Sequence, residues 1–244
     1  YWYNSLDTTW NTYTIDSGKE YQLSNQHTIQ AANELNDIPM PARAYGSAGW
    51  LKDDEAFLVY DHYNIWQLDP QNIKKPVNLT QAKPNAGIAY RIIDFDRQKS
   101  SREGIDAGEI KLLKGHNEIT REDGYFSWSM TKAKEPKAIL SGPFKLSTPL
   151  KAKNEDVVVF TQEDFQTFPN LQVSDLKFKK ITQVSDANPQ QKEFLWGTVE
   201  LVSWISMDGL KLEGTLHKPQ DFDSNKKYPM LVNFYEKSSQ ELYG

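Results

Sequence analysis

A strand–turn–strand unit recurs along this chain and restricts it to folds that stack small antiparallel sheets. Each copy is a short strand ending at Asp or another polar turn, then a Lys, then a second short strand closing in Leu or Ile with Ser or Thr. The first copy is Tyr13-Thr14-Ile15-Asp16-Ser17-Gly18-Lys19-Glu20-Tyr21-Gln22-Leu23-Ser24. The second runs from Ile65-Trp66-Gln67-Leu68-Asp69-Pro70 to Lys75-Pro76-Val77-Asn78-Leu79-Thr80. Weaker copies run from Met130 to Ser141, closing in Lys137-Ala138-Ile139-Leu140-Ser141, and from Leu171 to Thr182, closing in Phe178-Lys179-Lys180-Ile181-Thr182.

Two copies carry an extra hairpin in front. Ala48-Gly49-Trp50-Leu51 leads through the acidic turn Lys52-Asp53-Asp54-Glu55 into Ala56-Phe57-Leu58-Val59-Tyr60-Asp61, and Ala152-Lys153-Asn154-Glu155-Asp156 leads into Val157-Val158-Val159-Phe160-Thr161. The whole is a four-stranded unit repeated every ~40 to 60 residues, the period of β-propeller blades. A β-sandwich is the alternative, but sandwiches seldom repeat the same turn chemistry along the chain. Ile88 to Asp96 reads as another blade strand, Arg97 to Gly108 as a surface loop too charged to bury anything, and Thr28 to Asn36 as a short helix.

The last forty-odd residues change character. Asp208-Gly209 between alternating strands predicts a two-residue type I′ hairpin, whose positive φ angles Asp and Gly tolerate. Beyond it Leu210, Leu212 and Leu216 share one face, predicted buried, with Lys211, Glu213 and His217 on the other. Pro219 ends the strand. Lys227-Tyr228-Pro229 then opens Met230-Leu231-Val232-Asn233-Phe234-Tyr235, an almost unbroken apolar run that predicts a strand covered on both faces by helices.

Composition narrows the function classes. A hydrophobic content of 38% is low for a single large core and suits many short strands with polar turns. A net charge of −5 and no basic stripe interleaved with aromatics disfavour nucleic acid as a partner. With no cysteine, disulfide frameworks, thiolate zinc sites and cysteine nucleophiles are excluded. No apolar stretch approaches the ~20 residues of a membrane span, and Tyr1-Trp2-Tyr3-Asn4 lacks the basic start and apolar core of a secretory leader.

Candidate sites are sparse. Asp53-Asp54-Glu55 invites a calcium ion, but adjacent acids on a tight turn diverge, and the solvated turn is the better reading. His27, His62, His116 and His217 show no metal-pair spacing and read as surface or capping residues, His116 in a Gly-His-Asn turn. Gly46-Ser47-Ala48-Gly49 has the wrong spacing for a nucleophile elbow. Asn78-Leu79-Thr80 matches a glycosylation acceptor but lies in a strand. Seven Trp residues spread along the chain suit packing between blades. No cofactor or metal site is read from these residues.

With the repeat and the run Trp204 to Pro219 in view, followed by Lys227-Tyr228-Pro229 and the strand to Tyr235, the chain resembles the prolyl oligopeptidase family of serine peptidases, its dipeptidyl peptidase branch in particular. The resemblance implies a mainly all-β chain: the C-terminal blades of a partial β-propeller over residues 1–200, then the first strands of an α/β-hydrolase peptidase domain over 201–244. In that branch a Tyr ending the first buried hydrolase strand donates to the oxyanion, and Tyr235 holds the matching position. A rigid donor of this kind is worth roughly 3 to 4 kcal/mol in related sites. The usual continuation is small and Gly- or Pro-containing, whereas this chain reads Glu236-Lys237-Ser238-Ser239.

The family's chain order places nucleophile, acid and histidine after that strand, beyond Gly244. The resemblance therefore implies an internal fragment of a peptidase, inactive by itself, with peptides as substrates of the whole enzyme. Family members of this kind in bacteria imply a periplasmic or secreted location. The dipeptidyl branch grips substrate with an adjacent Glu-Glu pair that is not found here, which leaves exopeptidase and endopeptidase open. The alternatives are a non-catalytic β-propeller binding module and a carbohydrate-active propeller. Unpaired blade edges and the apolar run Met230 to Tyr235 predict self-association.

Overall fold

The computed structural model describes residues 1–234 and 238–244. The chain is mainly β and falls into two compact units: residues 1–119 with 124–140, and residues 120–123 with 141–244. In chain order its strands form successive meanders, in which all but β12 pair with a neighbour in sequence. The first sheet holds β1 (Trp2–Asn4), β2 (Thr9–Thr14) and β3 (Lys19–Gln22); the second holds β4 (Ser47–Trp50), β5 (Phe57–Tyr60), β6 (Ile65–Leu68) and β7 (Val77–Asn78). The third holds β8 (Ile88–Ile92), β9 (Ile110–Asn117), β10 (Asp123–Ser129) and β11 (Lys137–Gly142).

A fourth sheet contains β12 (Lys145–Leu146), β13 (Leu150–Lys151), β14 (Val157–Asp164), β15 (Thr167–Asp175) and β16 (Thr182–Gln183). Both β12 and β13 pair with β14, at Gln162–Glu163 and Val158–Val159, so they are two halves of one interrupted strand. The sheet is in effect a third four-stranded meander. A separate hairpin joins β17 (Thr198–Ile205) to β18 (Lys211–Lys218).

The second sheet shows why the sequence alternates as it does. All four residues of β5 are buried, because each of its faces is covered. Leu58 and Tyr60 pack with Ile65, Tyr90, Leu113, Phe126 and Trp128, which carries one face onto the third sheet. Phe57 and Val59 pack with Leu68, Trp10 and Leu23, which carries the other face onto the first. Period-two side-chain direction thus feeds two cores from one strand. Of the Trp residues, Trp10 and Trp128 are buried and Trp50 and Trp66 pack partly buried against the first core. Trp2, Trp196 and Trp204 are exposed.

The repeated Leu-Ser/Thr closure has a specific job. Leu23 N–H donates to the Trp10 carbonyl at 2.8 Å while Trp10 N–H donates to Ser24 Oγ at 2.9 Å. Leu79 and Thr80 hold Ile65 in the same way, at 2.9 and 3.0 Å. Val184 and Ser185 hold Leu171, at 2.9 and 2.8 Å. In two copies an Asn completes the clasp: Asn64 Oδ1 accepts from Thr80 Oγ1 and Ala82 N–H, and Asn170 Oδ1 accepts from Ser185 Oγ and Ala187 N–H. The fourth closure is therefore Val184-Ser185, three residues beyond the expected Ile181-Thr182.

Thr80 is fully buried, so Thr80→Val keeps the shape but leaves Ile65 N–H without its acceptor. We expect a loss of about 1–3 kcal/mol, read as a lower urea midpoint with unchanged slope.

Local expectations are corrected in several places. Residues 28–36 are not helical: Asn25 Oδ1 accepts from His27 N–H and Asn33 Oδ1 from Leu35 N–H, which offers the backbone turns instead. An isolated bridge joins Ala32 to Ala44. The charged stretch after Asp96 contains a short helix, α1 (Arg97–Glu103), capped by the Asp96 side chain on Lys99 N–H. Ile105 behind it is buried and bridges Leu51, so the stretch does bury a residue.

In the β17–β18 turn only Gly209 takes positive φ, +80°; Gly209 N–H donates to the Ser206 carbonyl and Leu210 N–H to Ser206 Oγ. That is a longer loop with a left-handed Gly at its end, not a type I′ turn. The face carrying Leu210 and Leu212, at 62% and 40% exposure, is open rather than buried. Met230 to Phe234 belongs to no sheet and lies exposed, Leu231 fully so. No hydrolase-type sheet is formed among the described residues of 201–244.

Candidate functional site

The sequence directs attention to the stretch after β18, and two sets of contacts organise it. On one side Tyr228 stacks on Phe222, with ring centroids 5.2 Å apart, and its hydroxyl accepts from Asp223 N–H. Lys218 Nζ lies 5.1 Å from the Phe222 ring and pairs with Glu200 at 2.6 Å. On the other side a 3₁₀ turn at Ser238–Glu241 is followed by buried Leu242.

Arg121 fastens that second side. It takes a left-handed backbone, φ +66°, uncommon for a non-Gly residue, and its side chain is only 4% exposed. Its Nη2 donates to Glu213 Oε2 on β18 at 2.8 Å and its Nε to the Ser239 carbonyl at 3.0 Å. The other Glu213 oxygen takes Lys211 Nζ at 3.0 Å. Lys211 first, and Arg121 with it, hold the Glu213 carboxyl below its ordinary range. Tyr235, the residue the sequence singles out, lies outside the described residues.

A second polar cluster, in the other unit, was not legible as a site in the sequence. His62, in the turn between β5 and β6, is sandwiched between Tyr63 and Tyr45, with centroids at 4.3 and 5.1 Å and rings 11° and 16° from parallel. Its Nε2 meets Glu118 Oε1 at 2.6 Å, and Glu34 lies 4.0 Å from Nδ1. Arg91 packs over the Tyr60 ring at 4.7 Å and donates to the Asp61 and His62 carbonyls. Burial lowers the Arg91 guanidinium from its ordinary value and pushes the Tyr45 phenol up to about 12. His62 is thus no surface residue. It joins the β5–β6 turn to the residue after β9.

The remaining candidates scatter. His116 sits within β9, paired with Ala89, and not in a turn; His27 and His217 are exposed. Asp53 and Asp54 occupy a 3₁₀ turn, both with positive φ. Among the described residues no three His, Cys, Asp or Glu side chains gather as a metal site. Ser47 lies on β4 at the wall of an open concavity of about 960 Å³, beside Trp50, Asp94, Arg97 and Arg102. Asn78 Oδ1 accepts from Gln81 N–H, and the Thr80 hydroxyl is consumed by the clasp. No helix among the described residues is long and apolar enough to cross a membrane.

No family model and no curated protein matches the chain. Among solved structures it is similar to those of peptidases. One is the free AtxE2 isopeptidase, at 12% identity and TM-score 0.48, over 89% of this chain and 30% of that one. A variant of that isopeptidase with Astexin3-dC4 bound gives 12%, TM-score 0.44 and the same coverage. A structure from work on two prolyl endopeptidases gives 14% identity and TM-score 0.36, over 88% of this chain and 40% of that one. The chain thus spans about a third of the length of these structures.

Proposed function

We propose that the chain is part of a serine peptidase of the prolyl oligopeptidase type, in the dipeptidyl branch that the sequence around Tyr235 resembles. In this reading residues 1–200 are β-propeller blades that gate or bind a peptide substrate, and residues 201–244 begin the α/β-hydrolase domain. The observation that carries it is the passage from Trp204 to Phe234. A long hairpin, β17–β18, ends at Pro219, and an uncovered apolar run follows Tyr228-Pro229. An apolar segment of that composition is the kind a parallel sheet and its helices would enclose. Four-stranded meanders following one another in sequence, with β5 covered on both faces, support the blade reading.

Tyr235 is then the oxyanion donor. The 244 residues contain no Gly-x-Ser-x-Gly elbow, so the chain alone is expected to give no cleavage of proline- or alanine-containing chromogenic peptides and no labelling by a fluorophosphonate. The same chain continued through the coding sequence past Gly244 is expected to supply that elbow, followed by Asp and His, and to be labelled. A further blade-like unit there would overturn the peptidase reading in favour of a binding module. The exposed run Met230 to Phe234 would also support self-association, read as a concentration-dependent mass by light scattering.

A further inference from the structure

The connection from β3 to β4 contains a loop with joined ends. Its base is fixed by the Ala32–Ala44 bridge and by Asn33 N–H, which donates to the Arg43 carbonyl at 2.7 Å. Inside, the Asn36 side-chain amide donates to the Ile38 and Met40 carbonyls at 3.0 and 3.1 Å, and Met40 N–H donates to the Ile38 carbonyl at 2.8 Å. Residues 33–43 thus form a compact loop of the Ω kind. Leu35, Ile38 and Met40 are turned outward on it, each nearly half exposed.

The root of this loop meets His62. Glu34 N–H donates to the Tyr45 hydroxyl at 3.2 Å, and the Tyr45 ring is one of the two stacked on the imidazole. The Glu34 carboxylate lies 4.0 Å from Nδ1, while Glu118 holds Nε2 at 2.6 Å. A neutral imidazole has one N–H and serves one carboxylate, whereas an imidazolium has two and serves both. Histidine is also the side chain whose charge ordinarily changes between about pH 5 and pH 8.

We propose that His62 is a proton-dependent latch for loop 33–43: the imidazolium holds Glu34 and Glu118 together, and the neutral ring keeps Glu118 and lets Glu34 go. With its one proton committed to the shorter contact, the neutral ring turns the Nδ1 lone pair toward the Glu34 carboxylate, which repels it. The surrounding groups set the balance. Two carboxylates and two tyrosine faces attract the cation. Arg91, which donates to the His62 carbonyl and packs 5.8 Å from the Tyr45 ring, repels it. The Asp61 carboxylate is occupied by Tyr63 and Asn64 N–H and by Trp66 Nε1. Burial raises the phenols of Tyr45, to about 12, and of Tyr63, so both stay neutral as the histidine changes charge. The latch does not depend on the peptidase reading.

The test is hydrogen–deuterium exchange on the 244-residue chain at about pH 5.5 and about pH 8, with rates corrected for intrinsic exchange at each pH. Protection of the Asn33, Glu34 and Asn36 amides is expected to fall roughly two- to fivefold at the higher pH, the size of a partly exposed ion pair. Glu118 N–H, bonded to the Gly87 carbonyl at 2.9 Å, should keep its protection. The Glu34 side chain is 53% exposed, so Glu34→Gln leaves the core undisturbed and should give the lower loop protection at both pH values. His62→Phe, which keeps a ring in the stack but has no N–H, should do the same. Loop protection in the parent that ignores pH would overturn the latch. So would a fall that persists in Glu34→Gln, or an equal fall at Glu118, which marks general loosening.

Discussion

On the peptidase proposal, Tyr235→Phe, made in the chain continued past Gly244, is expected to lower kcat by roughly 10²–10³ while KM stays nearly constant. The two side chains have almost the same shape, so ground-state packing and peptide binding change little. What would disappear, on that proposal, is one O–H donor to charge that develops only in the tetrahedral intermediate. Such a loss falls on the transition state and leaves the Michaelis complex almost untouched. The rival account of this residue, an amphipathic tyrosine at a strand end, predicts a different outcome: a small stability change and a kcat within about threefold of the parent. Steady-state hydrolysis of a proline-containing anilide separates the two, and the second outcome would end Tyr235's role as oxyanion donor.

Features written in neighbouring residues were legible, and features made by distant ones were not. The Leu-Ser/Thr repeat could be read because each closing strand follows its partner within about fifteen residues, as with Ser24 on Trp10 and Thr80 on Ile65. The last copy slipped by three residues because Ile181-Thr182 and Val184-Ser185 are near-equivalent strings. Only the pairing of Val184 with Leu171 distinguishes them. The Asp208-Gly209 turn shows the same limit on a smaller scale. Its position was plain, but its type was set by Ser206, whose carbonyl and hydroxyl take two of the loop's N–H groups.

His62 and Arg121 carried no signal at all in the sequence. Glu118 is 56 residues from His62 and Glu213 is 92 from Arg121, so neither pair leaves a periodic trace. A lone histidine in the string Asp61-His62-Tyr63 reads as a turn residue, and the turn is indeed there, with Asp61 Oδ1 accepting from Tyr63 and Asn64 N–H. What the string omits is Tyr45, which arrives from another loop to complete the stack. The apolar run at Met230 to Phe234 makes the complementary point. Composition announces that a segment is suited to burial, whereas burial itself depends on what else packs there.

Glu213→Ala is expected to destabilise the chain by about 3–5 kcal/mol, more than Arg121→Gly does, although the two substitutions break the same ion pair. The asymmetry follows from burial. Without Glu213, the Arg121 guanidinium, whose side chain is 4% exposed, keeps only the Ser239 carbonyl among its described partners. Without Arg121, Glu213 remains 30% exposed and still bound to Lys211, and glycine at φ +66° relieves strain, so about 1–2 kcal/mol is expected.

Acid should reproduce part of the larger loss. In the unfolded chain Glu213 titrates near its ordinary 4.5, whereas in the folded chain Lys211 and Arg121 hold it lower. The unfolded state therefore takes up the proton first. The stabilisation from Glu213 is complete above the ordinary value and fades as pH falls through the lowered one. Urea midpoints for the parent and Glu213→Ala should accordingly lie farthest apart at about pH 7 and draw partly together between about pH 5 and pH 3, by no more than about 1.4 kcal/mol per pH unit. A gap that stays constant over that range, or equal losses for Glu213→Ala and Arg121→Gly, would mean that the charge on Glu213 contributes nothing to holding the Ser239 turn against β18.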